Sequence, residues 1–174
     1  KYDCIISTSY SINKDNSLLN CRINGLNKYK PDLVIIDRFL KLNKRLKLFN
    51  LVNKRKTYIV TSKNNQKVIS FLKKKKIKII NLHNLNNKKD FIELFNKLFK
   101  IGKRRILIES GLTFLNQLLK FGFINNLYLF KTNKSLKKKG FNNCSTNIIK
   151  KKMKIMNRIN VNLENENLFK MRIK

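Results

Sequence analysis

Short apolar runs alternate with amphipathic stretches along most of the chain. Runs rich in Ile, Val and Leu lie at 3–7 (DCIIS), 33–37 (LVIID), 57–61 (TYIVT), 77–80 (IKII), 105–109 (RILIE) and 126–130 (NLYLF). Continuous apolar segments of this length predict strands buried in a sheet. Between them the apolar period lengthens to that of a helix. The 64–76 stretch puts Val68, Ile69 and Leu72 on one face, and 88–100 puts Phe91, Leu94, Phe95 and Leu98 at i, i+3, i+4 and i+7. A third helix is expected over 112–122, with Leu112, Leu115, Leu118 and Leu119 on one side, Lys120 in its last turn and Gly122 as the C′ residue. The polar stretch 7–22 (STSYSINKDNSLLNCR) reads as a loop. After Lys131 a basic loop leads to NIIK, KIMNRINVNL and NLFKMRI, expected to return as antiparallel edge strands. The order predicts a single α/β domain over 1–174, with a mostly parallel central sheet flanked by helices and antiparallel C-terminal strands.

Charge changes this picture less than its size suggests. The 174 residues hold 41 Lys+Arg against 9 Asp+Glu, a formal net charge of +32. A surface this basic attracts nucleic acid without regard to sequence. Yet 33 of the cations are lysine, asparagine numbers 27 and alanine is absent, the bias that A/T-rich codons impose on any protein. The lysines are spread along the chain, and no arginine-rich stripe alternates with aromatics as a stacking platform requires. Runs at 73–76 and 150–152 flank apolar segments and read as solvated ends of elements. Compositional drift therefore outweighs dedicated nucleic-acid recognition, and weak non-specific binding stays open.

No apolar run approaches the roughly 18 residues of a membrane span. The opening KYDCIIS lacks the apolar core of a signal peptide, and without an initiator Met the chain is expected to begin within a longer product. Cys4, Cys21 and Cys144 share no metal or redox spacing and are odd in number, which predicts reduced thiols in the cytoplasm. His83 stands alone among asparagines, so neither a metal centre nor a histidine-based triad is expected.

Two places could carry chemistry. In open α/β sheets, ligands bind beyond the carboxyl ends of the strands. The run RRILIESGLTFLNQLL sends a buried strand into Glu109, Ser110 and Gly111 and then at once into a helix. Gly111 would let backbone approach a ligand, and free N–H groups of the first helical turn would receive phosphate. Equally, Glu109 could cap the helix or pair with a lysine while Gly111 merely makes the turn. The second place comes after the first strand, where Ser7, Thr8, Ser9, Ser11, Asp15, Asn16 and Arg22 cluster. It is either an ordinary polar loop or a ligand loop whose arginine suits bidentate phosphate recognition.

Read together, these segments resemble one family. DCIISTSYSINKDNSLLNCR is similar to D-A-I-L-V-G-x-x-T-V-x-x-D-[DN]-P-x-L-x-x-R: Asp3, Asp15, Asn16, Leu19 and Arg22 match, Ser11 stands for Thr, and Ser17 replaces Pro. VIIDR, with Asp37 and Arg38, resembles V-V-L-D-[SR]. IESGLTFLNQLLKFGFINNLYLF keeps Glu109, Gly111, Thr113, Leu118, Leu119, Gly122 and Leu127 in the register of V-E-[GA]-G-x-T-L-x-x-x-L-L-x-x-G-L-V-D-E-L-x-L-[FY]. These motifs belong to the reductase domain of riboflavin biosynthesis, the C-terminal half of a bifunctional deaminase–reductase with a dihydrofolate-reductase-like fold.

The resemblance implies NADPH-dependent reduction of 5-amino-6-(5-phosphoribosylamino)uracil to its ribitylamino counterpart. It assigns Leu19, Arg22 and Glu109 to the substrate. It assigns Ser11, Asp15, Arg38 and the turn Gly111, Leu112, Thr113, Phe114, Leu115, Asn116 and Gln117 to the cofactor. It names no catalytic proton donor and no metal. Partners implied are the phosphorylated pyrimidine, a second copy in a homodimer, and a deaminase domain or separate deaminase, with no specific nucleic acid and no membrane. The chain departs from the family in further places. The opening K-x-A-x-S-x-D-G strand and W-I-[ST] segment, which supply a central strand and further contacts, are absent from 1–174. Leu112 replaces a common Pro, and P-K-L-L-G becomes NKSLKKKG.

Overall fold

Five of the apolar runs pair edge to edge in parallel. They are β1 (Cys4–Thr8), β2 (Asp32–Ile36), β3 (Thr57–Thr61), β4 (Lys78–Asn81) and β5 (Ile106–Ile108), in the order β4-β3-β2-β1-β5. The computed structural model describes residues 2–20, 29–132, 155–161 and 166–173. The chain divides into two compact units, Lys1–Gly111 and Leu112–Lys174.

In the first unit the strand register sets the core. Ile5 lies between Leu33 and Leu107, and Ile35 lies beside Ile59. These side chains share one face with Ile12, Leu48, Phe49 and Leu72, forming a continuous apolar cluster. The alternate residues Cys4, Ile6, Val34 and Val60 are also fully buried, so both faces of the sheet are covered. Helix α2 (Gln66–Lys74) buries Ile69 and Leu72 and leaves the 73–76 lysines in solvent. Helix α3 (Lys88–Lys100) buries Phe91, Leu94 and Leu98, and it begins with a capping box between Asn87 and Asp90. Both ranges match the apolar periodicity.

The expected loop after β1 is instead partly helical. Helix α1 spans Ser9–Asp15, N-capped by Thr8, whose hydroxyl accepts from the Ser11 N–H. Only Ile12 is buried in its seven residues, too few to leave a periodic apolar signal. It ends at Asn16 in the left-handed region (φ 45°), and the Asn16 carboxamide accepts from the Lys47 N–H at 3.0 Å. That bond ties α1 to a short 3-10 turn at Lys47–Leu51, also unforeseen.

The second unit holds helix α4 (Leu112–Phe121) and the strands β6 (Asn126–Thr132), β7 (Ile155–Ile159) and β8 (Glu166–Arg172). Gly122 takes φ 77°, and the Gly122 and Phe123 N–H groups return to Leu119 and Leu118, the glycine stop expected there. Leu118 and Leu119 are buried, whereas Leu112, at the end of the proposed apolar face, is exposed. The strands after Lys131 are antiparallel as expected, but NLYLF, expected as a buried strand, joins them as β6 with Tyr128, Leu129 and Phe130 exposed. Among the described residues they form a sheet of their own, ordered β6-β8-β7, and do not continue the parallel one. NIIK and the basic loop that opens at residue 133 lie outside the described residues. No helix among the described residues is long and apolar enough to cross a membrane.

Candidate active site at the carboxyl edge of the parallel sheet

Strand order locates the crevice. From β1 the chain steps outward through β2, β3 and β4, then crosses back to lay β5 against the other edge of β1. Neighbouring strands whose connections leave in opposite directions create a switch point, and their loops part beyond the carboxyl ends. The strand order reverses at β1, which has β2 on one side and β5 on the other, and β1 and β5 lead into Ser9–Ser11 and Glu109–Gly111 respectively.

The two segments are joined. The Gly111 N–H donates to Ser11 Oγ at 3.1 Å, and Ser11 Oγ lies 3.0 Å from Thr8 Oγ1. The Glu109 N–H donates to the Ile6 carbonyl at 2.9 Å, which extends the β1–β5 pairing to the mouth of the site. Glu109 is exposed, and its carboxylate forms no ion pair among the described residues. The Gly111 N–H, just before α4, is taken by the Ser11 hydroxyl and is not open to a phosphate. A Cβ at Gly111 would meet only Ser11 Oγ, at 3.7 Å, so packing within the protein does not itself demand a glycine.

Arg38 comes after β2, and its loop is held by a buried carboxylate. Asp37 accepts from the Lys41 N–H at 2.9 Å and the Leu42 N–H at 2.8 Å. The Arg38 carbonyl accepts from Thr61 and Ser62 at the end of β3, and its guanidinium donates to the Leu85 carbonyl and the Asn86 carboxamide. Arg38 thus links the carboxyl end of β2 to the loop that opens α3. Beside it, Thr61, Ser62, Lys63, Asn64 and His83 line an open cleft of about 400 Å³ at the carboxyl ends of β3 and β4, which the Glu93–Lys97 pair (2.7 Å) also lines. None of these cleft residues was marked by sequence reasoning. Ser62 and Asn64 carry no motif, and their one signal is position after a predicted strand. No cluster of metal-ligating side chains includes His83 among the described residues.

The remaining candidates divide. Asp15 ends α1 and is exposed. Leu19 has φ 48° and its side chain is buried in the core cluster, so the surface it offers a ligand is mainly backbone. Arg22 lies outside the described residues, as do Cys21 and Cys144. Leu112 and Thr113 are exposed at the start of α4, and Phe114, Leu115, Asn116 and Gln117 are half-buried along it. Cys4 is a free, fully buried thiol, as expected.

A family model for the RibD C-terminal domain matches residues 1–136. The chain belongs to that family. No curated protein matches the chain. Among solved structures, RibD of Acinetobacter baumannii is similar with a TM-score of 0.74 at 14% identity, over 99% of this chain and 47% of that one. A diaminohydroxyphosphoribosylaminopyrimidine deaminase/5-amino-6-(5-phosphoribosylamino)uracil reductase of Thermotoga maritima gives 0.69 at 16% identity, over 99% and 46%. A pyrimidine reductase-like protein of Corynebacterium diphtheriae gives 0.71 at 14% identity, over 99% and 76%. The chain spans about half the length of the first two. At these identities the likeness establishes the fold: an α/β fold with a parallel five-stranded sheet flanked by helices and a small antiparallel sheet.

Proposed function

We propose that this RibD C-terminal domain catalyses NADPH-dependent reduction of 5-amino-6-(5-phosphoribosylamino)uracil to 5-amino-6-(5-phosphoribitylamino)uracil. The observation that carries the reading is the Ser11–Gly111 hydrogen bond. It brings the two family motifs, 100 residues apart, to one switch point where α/β sheets bind nucleotides.

The residues present fit a nicotinamide dinucleotide phosphate. Gly111 carries no side chain of its own at the mouth of the site, where only the Ser11 hydroxyl lies against it, and the cleft beyond β3 and β4 combines hydroxyl, amide and cationic donors. Such donors suit a phosphorylated ribose, whereas bare apolar walls would not. In this reading Ser11, Asp15, Arg38 and the Gly111–Gln117 turn hold the cofactor, and Leu19, Arg22 and Glu109 hold the substrate. When bound, the cofactor would supply a hydride to C1 of the ring-opened ribose, held as an imine, whose C=N bond becomes an amine as its nitrogen takes a proton from solvent.

The chain's own work is alignment. Ser11 fixes the Gly111 turn, Asp37 fixes the loop bearing Arg38, and the carboxylate of Glu109 accepts hydrogen bonds from the pyrimidine. Holding two reactants in register and excluding water accounts for much of the acceleration of a hydride transfer. The high positive charge raises the local concentration of two anionic ligands. A reducing, cytoplasmic setting and a homodimeric assembly belong to the same proposal; a buried free thiol at Cys4 supports the former.

The test is thermal unfolding of the full natural chain with NADPH and with NADH. A cofactor-specific rise in melting temperature with NADPH is expected. No shift with either nucleotide would exclude the reading.

A further inference from the structure

We propose that Arg55 is a positioning residue for the substrate segment, holding the backbone of Leu18 and Leu19 on which the D-N-x-x-L-x-x-R motif turns. The inference rests on the proposed reductase function. In the sequence Arg55 stands between Lys54 and Lys56. In the structure the two lysines are exposed and Arg55 alone turns inward, 8% exposed. Its guanidinium donates to the Leu19 carbonyl at 2.6 Å and, through its other terminal nitrogen, to the Leu18 carbonyl. Among the described residues no carboxylate pairs with it.

A buried guanidinium is costly: burial, the larger effect, lowers its pKa, and the charge of Asp32 acts against that without a direct ion pair among the described residues. Two carbonyl partners offset that cost only if the backbone that offers them stays put. That backbone is unusual. Asn16 and Leu19, three residues apart, are both left-handed, at φ 45° and 48°. Asparagine, with its short polar side chain, tolerates this; a leucine does so only where the surroundings impose it. Arg55 imposes it from the polar side, while the core takes the Leu19 side chain from the other. A planar fork reads two successive carbonyls, which a lysine ammonium cannot do with the same geometry. That accounts for an arginine at a position flanked by lysines. Arg22 comes three residues later in the sequence.

The test uses R55K and R55Q in the full natural chain, with steady-state kinetics for both ligands and hydrogen exchange on residues 17–20. In R55K the KM for the phosphorylated pyrimidine is expected to rise about tenfold while the KM for NADPH stays within about twofold, and kcat per folded enzyme changes little. Exchange at 17–20 is expected to quicken in the variants. In the wild-type chain it is expected to slow on adding the pyrimidine and not on adding NADPH. A loss of kcat in proportion to the folded fraction, with both KM values unmoved, would overturn the role of Arg55 and leave the reductase reading intact. A wild-type chain without turnover would defeat that reading and this proposal together. Wild-type exchange at 17–20 that ignores the pyrimidine defeats the proposal even where both variants fail to fold.

Discussion

Ser11 Oγ accepts the Gly111 N–H at 3.1 Å, closing the mouth of the β1–β5 crevice with one hydroxyl. The same oxygen lies 3.0 Å from Thr8 Oγ1, so the cap of α1 and the turn into α4 share a single side chain. Removing it frees the Gly111 turn at the place assigned to the cofactor. S11A is expected to raise the KM for NADPH about fivefold, the worth of one half-exposed hydrogen bond. S11T, which restores a hydroxyl of the family type, is expected to return it to within about twofold. Equal KM values for wild-type and S11A would show that the bond does not organise the cofactor site.

Asp37 carries the loop of Arg38. Its carboxylate is 2% exposed and accepts two backbone N–H groups, which D37A would leave buried without partners. A loss of about 2 kcal/mol is expected in urea unfolding, with D37N losing less because one oxygen remains. A midpoint unchanged in D37A would contradict this.

Acid sensitivity is expected from two capping carboxylates. The Asn86 N–H foremost, with that of Asn87, holds the Asp90 carboxyl below its ordinary 3.8; the Arg105 N–H foremost, with that of Arg104, does so for Asp3. A depressed folded-state pKa means that the stabilisation is present above the unfolded value. It fades as pH falls towards and through the folded one. Melting temperature is therefore expected to drop steeply below about pH 4 and less steeply in D90N. Parallel acid limbs for wild-type and D90N would exclude the Asp90 contribution.

Cys4 is fully buried in β1, and burial pushes its thiol up to about 12. Site-resolved alkylation at mildly alkaline pH is expected to spare Cys4 until the protein unfolds. Modification of Cys4 in the native state would contradict its place in the core.

Much of the fold was legible in apolar runs. TYIVT is β3 residue for residue, and the i, i+3, i+4, i+7 pattern of Phe91 to Leu98 lies on α3. Helix α1 was not legible from period, since Ile12 is its one buried residue, although Thr8 two residues before a helical Tyr10 was a usable cap signal. The separateness of the antiparallel strands depends on pairing, which no local pattern encodes. At the site, Glu109 and Gly111 were marked by position after a strand. Their junction with Ser11 needed the strand order, because a contact across 100 residues leaves no local trace. Arg55 was hidden by its neighbours: inside a lysine-rich run, an inward guanidinium looks like any other surface charge.

The most direct measurement is the substrate-dependent loss of NADPH absorbance by the full natural chain supplied with 5-amino-6-(5-phosphoribosylamino)uracil. Turnover with NADPH, slower with NADH and yielding the ribitylamino product, is the result expected. NADPH left unconsumed in the presence of that pyrimidine, by a folded chain, would contradict the central claim.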